Sequence, residues 1–445
     1  MRFLVLPRER RKRITSLALP IIGGMVSQNI INLVDTGMVG QLGDQALAGV
    51  GTGGFIVFMC IAMSMGLSSG VQAVVSRRMG EGRTDALASP LNGALLTAVI
   101  AGVCLSTLFG LAAPGLFELV NDDPDVMAAG VPYIEIRLLA ITAVGVNFSF
   151  RGFWNGTDRP KVYLATLLTI QGSNVFLNWV LIFGKLGMPE LGVEGAALGT
   201  TIALYIGSVC HIILGIRNAR HEGFLRGMCT REELRTLLRL AVPSGVQQVF
   251  FAAGYTALFA IIGKVGMQEV AAANVLVNLM LTAILPSVGL GMAAATLVGQ
   301  AMGRGDSEDA FRWAWDVVKL AVVGLSLLGA FLAAVPELVL GVFLQNPETV
   351  SIARGPLIVW AFIMGIDGAG IVLMQALIGV GAPKQAMQVT VVMQWLVFLP
   401  VAWLVGPVLG QGLMGIWIAQ AIYRLIQCGL FAWKWDRRGW VSIQV

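Results

Sequence analysis

Residues 17–43 read LALPIIGGMVSQNIINLVDTGMVGQLG, an apolar run long enough to cross a bilayer yet interrupted by Gln28, Asn32 and Asp35. A charged side chain at the centre of a membrane helix costs roughly 2.5 to 3.5 kcal/mol on insertion scales, so a carboxylate there has to face protein or a water-filled cavity. Spacing gives it companions: Gln28 and Asn32 lie at i−7 and i−3 from Asp35, on one face of one helix.

The chain around this run is of the same kind. Of 445 residues, 56% are hydrophobic and 12% charged, with a mean hydropathy of +0.79, well outside the range of soluble domains. No run alternates with the period of a membrane β-barrel. Breaking the apolar runs at polar or Gly/Pro punctuation predicts an all-α membrane protein of twelve transmembrane helices. They fall near residues 14–38, 46–78, 91–117, 127–152, 161–184 and 191–216, then 237–262, 269–302, 314–342, 350–378, 385–406 and 411–434. The charged start reads as part of a retained first helix rather than a cleaved signal. Cys60, Cys104, Cys210, Cys229 and Cys428 have neither disulfide nor zinc spacing and read as core fillers.

The net charge of +5 has a topological cause. Basic residues cluster at Arg8 to Arg13, Arg77, Arg78, Arg83, Arg159, Lys161, Arg217 to Arg239, Arg304, Arg312, Lys384 and Lys434 to Arg438, all on one side of the twelve-span arrangement. That side is predicted to be cytoplasmic, with both termini on it. The loops GQLGDQ, NDDPD, GKLGMPE and QNPE fall opposite. The partner implied is the lipid bilayer, and no nucleic acid.

The chain also repeats itself. LALP at 17–20 returns as LAVP at 240–243, an offset of 223 that also pairs Gly40 with Gly263, Gln45 with Gln268, Gly66 with Gly289, MGEG at 79–82 with MGRG at 302–305, and GTDRPK at 156–161 with GVGAPK at 379–384. Two homologous six-helix halves follow, residues 1–216 and 237–445, joined by a polar linker at 217–236. Six spans separate the copies, so both enter from one side and are related by an axis along the membrane normal.

Polar groups inside the spans are the candidate functional residues. In the fifth span Gln171, Asn174 and Asn178 stand at i, i+3 and i+7, a second polar stripe expected to meet that of Asp35 inside the N-terminal half. Withdrawn from water and flanked by amides, Asp35 can load and release a proton, or, when charged, bind sodium with the amide oxygens; a purely structural hydrogen-bonding role is the third option. Pro20, fifteen residues earlier, reads either as a hinge or as a helix start. The position matching Asp35 in the second half is Leu258.

Asp367, flanked by Gly365, Gly368 and Gly370, reads as a substrate or sodium site or as a packing group. Asn147, Gln247 and Asn274 are further candidates for a cavity wall. His211 and His221 are expected to be interfacial or solvated. Arg137 and Arg354 fall near predicted outer ends and no Lys or Arg at a midplane, so a central cavity is expected to be acidic or neutral and to suit cationic amphipathic molecules. There is no P-loop, no HExxH and no paired catalytic acids, so the chain is not expected to be an enzyme or to carry a cofactor; transport would draw on a proton or sodium gradient.

These motifs together resemble the multidrug and toxic compound extrusion (MATE) transporters over essentially the whole chain, through residues 17–43, the echo from Leu240, the SRRMGEGR and GQAMGRGD loops, and the GTDRPK and GVGAPK pair. Pro20, Asp35 and the fifth-span amides look most like the DinF-type branch. The resemblance implies two bundles around a V-shaped cavity, export of cationic drugs and toxins in exchange for protons or sodium, Asp35 as coupling carboxylate with Asn174 and Asn178 in its network, and bending at Pro20. It also implies a bacterial inner membrane and a monomer. Two departures favour protons: some relatives have a second acid where Asn178 stands, and the seventh-span glutamate of the NorM-type branch has no counterpart. The alternatives are a lipid-precursor flippase of the same architecture, which would be expected to have a cationic cavity, and a non-transporting scaffold.

Overall fold

In hydrocarbon no water is present to take up backbone N–H and C=O groups, so each apolar run has to close its hydrogen bonds within itself. In the computed structural model, which describes residues 6–121, 123–227, 229–344 and 346–443, the runs do so as helices. In order these are α1 (Arg8–Gly40), α2 (Asp44–Gly80), α3 (Ser89–Glu118), α4 (Pro124–Leu138), α5 (Ile141–Gly156), α6 (Pro160–Ile182), α7 (Gly192–Asn218), α8 (Arg231–Gly263), α9 (Met267–Gly303) and α10 (Ser307–Ala334). They continue with the short α11 (Pro336–Gly341), α12 (Pro347–Gly379), α13 (Pro383–Val391), α14 (Leu399–Trp403) and α15 (Gly412–Asp436). Asp122 and Gln345, in two of the loops quoted above, lie outside the described residues.

Among the described residues eleven helical runs are long and apolar enough to span a membrane; α13 and α14 form one of these, Pro383–Val408, joined through π-helical stretches. The twelfth span is broken: α4 and α5 meet at a bend of 51°. Neither Gly nor Pro stands at the break. It persists because α7 supplies hydroxyls to the freed carbonyls, Thr201 Oγ1 to Ile136 O at 3.3 Å and Tyr205 Oη to Leu139 O at 2.8 Å. Exposed Leu111 (84%), Phe362 (78%) and Leu396 (72%) are what a surface solvated by lipid requires.

Two compact units result, and they are not cut at the linker. One comprises Gly23–Gln248; the other comprises residues up to Ile22 and from Val249 onward. Each repeat's first helix therefore starts in the core of the opposite half. Ile14, Leu17 and Ala18 are buried with Leu297, Trp313 and Trp360, while Leu237 and Ala241, the 223-residue echoes of Ile14 and Ala18, are buried with Val71, Phe150 and Trp154. Charges fasten both starts: Arg10 pairs with Asp309 and with Asp316 (2.6 Å), and Glu233 pairs with Arg78 and accepts from Ser89 Oγ at 2.9 Å. Thr230 and Glu233 also form a reciprocal capping box that starts α8 (2.8 and 3.2 Å).

The repeat is visible bond by bond. Gln45 donates to Asp125 at 3.1 Å and its echo Gln268 to Glu348 at 2.8 Å. Asp123 caps α4 and Asn346 caps α12. A Cβ on Gly66 would stand 2.6 Å from the Gly245 nitrogen and 2.2 Å from Ala241 O, and one on Gly289 would stand 2.5 Å from Ile22 Cγ1; Ile22 and Gly245 are themselves 223 apart.

Two sequence expectations change here. Pro20 is no helix start, because α1 begins twelve residues earlier at Arg8; it lies inside the helix, two residues before the division between units, as Pro243 lies inside α8. His211 is fully buried rather than solvated, with Nδ1 accepting from Trp154 Nε1 at 3.2 Å and its ring stacked on Phe150; Trp154 and Phe150 on α5 supply the aromatic wall that hydropathy could not locate.

Close approach at Gly66 predicts that Gly66→Val forces α8 off α2 at an overpacking cost of about 1–3 kcal/mol or more. A fall of several degrees in the unfolding midpoint in detergent is expected, against no fall for Gly110→Ala, whose Cβ meets nothing within 4 Å.

Candidate functional site

Helical spacing carries Gln28, Asn32 and Asp35 to one face of α1 and Gln171, Asn174 and Asn178 to one face of α6, and all six line a single cavity of about 470 Å³ within the unit Gly23–Gln248. Its remaining walls come from α2, α4, α5 and α7, among them Gly51, Tyr133, Arg137, Asn147 and Thr200. The volume suits a drug-sized molecule.

Asp35 is held at the centre of the amide stripes. Asn178 Nδ2 donates to Asp35 Oδ1 at 2.9 Å. The Asn174 amide has its nitrogen toward the carboxylate, 2.9 Å from Oδ2 and 3.0 Å from Oδ1, and its oxygen accepts from Thr200 Oγ1 at 2.9 Å; the opposite orientation would set oxygen against oxygen. Ala196 O, also 2.9 Å from Thr200 Oγ1, is the alternative acceptor for that one hydroxyl hydrogen. On α1 itself Gln28 Nε2 donates to Asn32 Oδ1 at 3.1 Å. Asn147 Nδ2 donates to Leu204 O at 3.0 Å and its oxygen accepts from Ser208 at 3.1 Å, pinning α5 to α7 beside the cavity. Gln171 is buried with Nε2 unpartnered.

Helices α6 and α7 can bring these groups so close because of two glycines. A Cβ on Gly195 would stand 2.5 Å from Leu181 O, and one on Gly199 would stand 2.2 Å from Asn178 Oδ1. Gly195 and Gly199 are the small-xxx-small pair of a tight membrane crossing. That pattern, with Thr200 beside it, is legible in the sequence as small residues four apart at the start of the sixth span.

Other candidates lie elsewhere. Asp367 is buried against Arg424 at 3.4 Å, so a guanidinium faces it. Asn274 is exposed and accepts from Asn278 Nδ2 at its carbonyl (2.9 Å) and side-chain oxygens (2.7 Å). Gln247 is buried on α8 outside the cavity lining. Leu258, at the position matching Asp35, is packed into an apolar core.

Asp35 and Arg137 give the cavity one charge of each sign, within the neutral-or-acidic expectation, yet arginines do stand inside the helical spans. Arg424 lies midway along α15, and Arg151 is part-buried on α5, donating to Ser68 Oγ at 2.9 Å and lying over the Phe148 ring. Arg137 stands in the cavity wall itself. It lies on α4 just before the bend that follows Leu138. Among the described residues no cluster of acidic, His and Cys groups is fit to hold a metal ion.

One protein-family model, MatE, matches this chain twice, over residues 20–180 and 243–404, with starts at Pro20 and Pro243. A protein of Thermotoga maritima named probable multidrug resistance protein NorM is 26% identical over 451 residues, covering 97% of this chain and 96% of that protein. A Rhodopseudomonas palustris protein of the same name is 28% identical, covering 95% and 90%. A MOP superfamily transporter from Pyrococcus furiosus superposes with a TM-score of 0.89 at 22% identity, covering 98% of this chain and 97% of that one. An outward-facing multidrug resistance MATE family transporter superposes at 0.88, also at 22% identity, with 98% and 97% covered.

Sealing of Asn178 against Gly199 makes a double-mutant cycle informative. Gly199→Ala is expected to destabilise the wild type by about 1–3 kcal/mol. It should cost clearly less in an Asn178→Ala background, where room for the methyl exists; unfolding midpoints of the four proteins measure the difference.

Proposed function

Because the chain belongs to the MATE family, matched over most of its length in two copies, we propose that it is a secondary active multidrug exporter, not an enzyme, that expels amphipathic compounds bearing a cationic centre in exchange for protons taken up at Asp35. The observation that carries this reading is the carboxylate itself, held by two amides in a drug-sized cavity, while its counterpart Leu258 is packed shut.

Protonation would change what Asp35 can do. An ionised carboxylate only accepts hydrogen bonds, whereas a carboxylic acid also donates one. The two amide nitrogens now facing Asp35 suit the ionised form. On protonation Asn174 can turn its oxygen to the acid and its nitrogen to Thr200, because a hydroxyl both donates and accepts. The rearranged contact between α1, α6 and α7 is the local event to which a change of cavity shape is coupled. Sodium fits less well, since a hard cation wants a shell of oxygens and the amides here offer nitrogens.

The positive-inside pattern supports a cytoplasmic location for both termini, and bacterial relatives support a bacterial inner membrane. One guanidinium in the cavity falls short of the cationic cluster that a lipid pyrophosphate would need, so the flippase reading has no observation behind it.

Dye flux in proteoliposomes under imposed gradients tests the proposal. A proton gradient is expected to drive transport in the wild type and a sodium gradient alone to drive none. Asp35→Asn should abolish the driven flux while leaving the protein monodisperse, and Thr200→Val should slow it by up to about tenfold, the scale of one neutral hydrogen bond lost from the Asn174 amide. Undiminished flux in Asp35→Asn would end the assignment.

A further inference from the structure

We propose that the cavity selects zwitterions: the Asp35 end receives the amine of the transported compound, and Arg137 receives a carboxylate carried by the same molecule. The inference rests on the exporter reading for its amine end; its carboxylate end rests on Arg137 alone.

Arg137 is set in the last turn of α4, against the cavity that Asp35 shares. The residue is half-buried, its Nε and Nη1 have no hydrogen-bond partner among the described residues and lie just beneath the cavity surface, and the guanidinium has to turn into the cavity for a carboxylate to reach them. A basic residue in a last helical turn ordinarily serves the freed carbonyls of its own helix end, but here Thr201 and Tyr205 of α7 have taken those of Ile136 and Leu139. The guanidinium is thus left over from capping. Other arginines on the membrane helices have a hydroxyl or a carboxylate: Arg151 has Ser68, Arg424 has Asp367 and Arg78 has Glu233.

Asp35 does not fill the gap. Its oxygens accept from Asn174 and Asn178, and it forms no ion pair with Arg137, although the field of Arg137 reaches it. A half-buried guanidinium with two unpartnered nitrogens carries part of the cost of an uncompensated buried charge. Its planar fork of donors matches the two oxygens of a carboxylate. A purely cationic ligand would leave that fork unsatisfied and would meet its repulsion. A ligand carrying both signs satisfies both walls, and the desolvation cost of each of its charges is offset by an opposite charge in the cavity.

Matched ligands test this. A xanthene dye with a cationic amine and a free carboxylate, and the methyl ester of the same dye, are titrated by fluorescence anisotropy against the purified full-length protein without any gradient. The wild type is expected to bind the acid about tenfold tighter than the ester, the scale of one charge-assisted bidentate contact. Arg137→Gln should bring the ratio to about one, and Arg137→Lys, which keeps a point charge but loses the fork, should fall between. Equal binding of the two dyes by the wild type overturns the proposal, and so does a ratio that survives in Arg137→Gln. If Arg137→Gln is not monodisperse on size exclusion, Arg137→Lys decides alone, an unchanged ratio being the overturning result. Flux of the same dyes in proteoliposomes separates the two readings. A binding ratio without transport of either dye sinks the exporter and leaves this site; equal transport with equal binding sinks the site and leaves the exporter.

Discussion

A carboxylate among apolar helices needs donors from its neighbours, and the grip of Asn174 and Asn178 on Asp35 is the constraint around which the first unit is organised. To deliver those amides, α6 must present Asn174 and Asn178 on one face and lie close to α7. Closeness in turn demands Gly195 and Gly199, where any side chain would strike Leu181 O or Asn178 Oδ1. Glycine in a helix ordinarily weakens it; here it is the condition for the site.

The same helix that carries Asp35 is shared between the units. Residues 14–18 of α1 are buried among α9, α10 and α12, while residues 28–39 line the cavity of the other unit. Pro20, which lacks a backbone donor and leaves the Ser16 carbonyl free, precedes the division at Ile22 and Gly23. The second half repeats the arrangement with α8 and Pro243 but not the chemistry, since Leu258 replaces Asp35. Duplication supplied a scaffold of matching caps, glycine contacts and Gln-to-acid bonds, and one copy alone holds an intramembrane acid at this position.

Electrostatically the cavity is less simple than its apolar walls imply. Asp35 and Arg137 both line it without an ion pair joining them. Asp367 and Arg424 in the other unit do pair, which neutralises the acid that the sequence left open as an ion site. Amides hold Asp35 and a guanidinium faces Asp367, and the identity of the neighbour is a tertiary fact.

By itself the sequence determined the class of the molecule. Twelve spans, two homologous halves and the polar stripes at Asp35 and at Asn174 and Asn178 follow from hydropathy, a constant offset and helical periodicity, all of which act within a few turns of chain or between aligned copies. The bend between α4 and α5 was beyond its reach, because no local breaker marks it and hydroxyls from α7 maintain it. Nor could the sequence show that Arg137 stands in the cavity wall. The exchange of first helices between units, the burial of His211 and the pairing of Asp367 also depend on contacts between residues far apart in the chain, and such contacts leave no period in a sequence to be read.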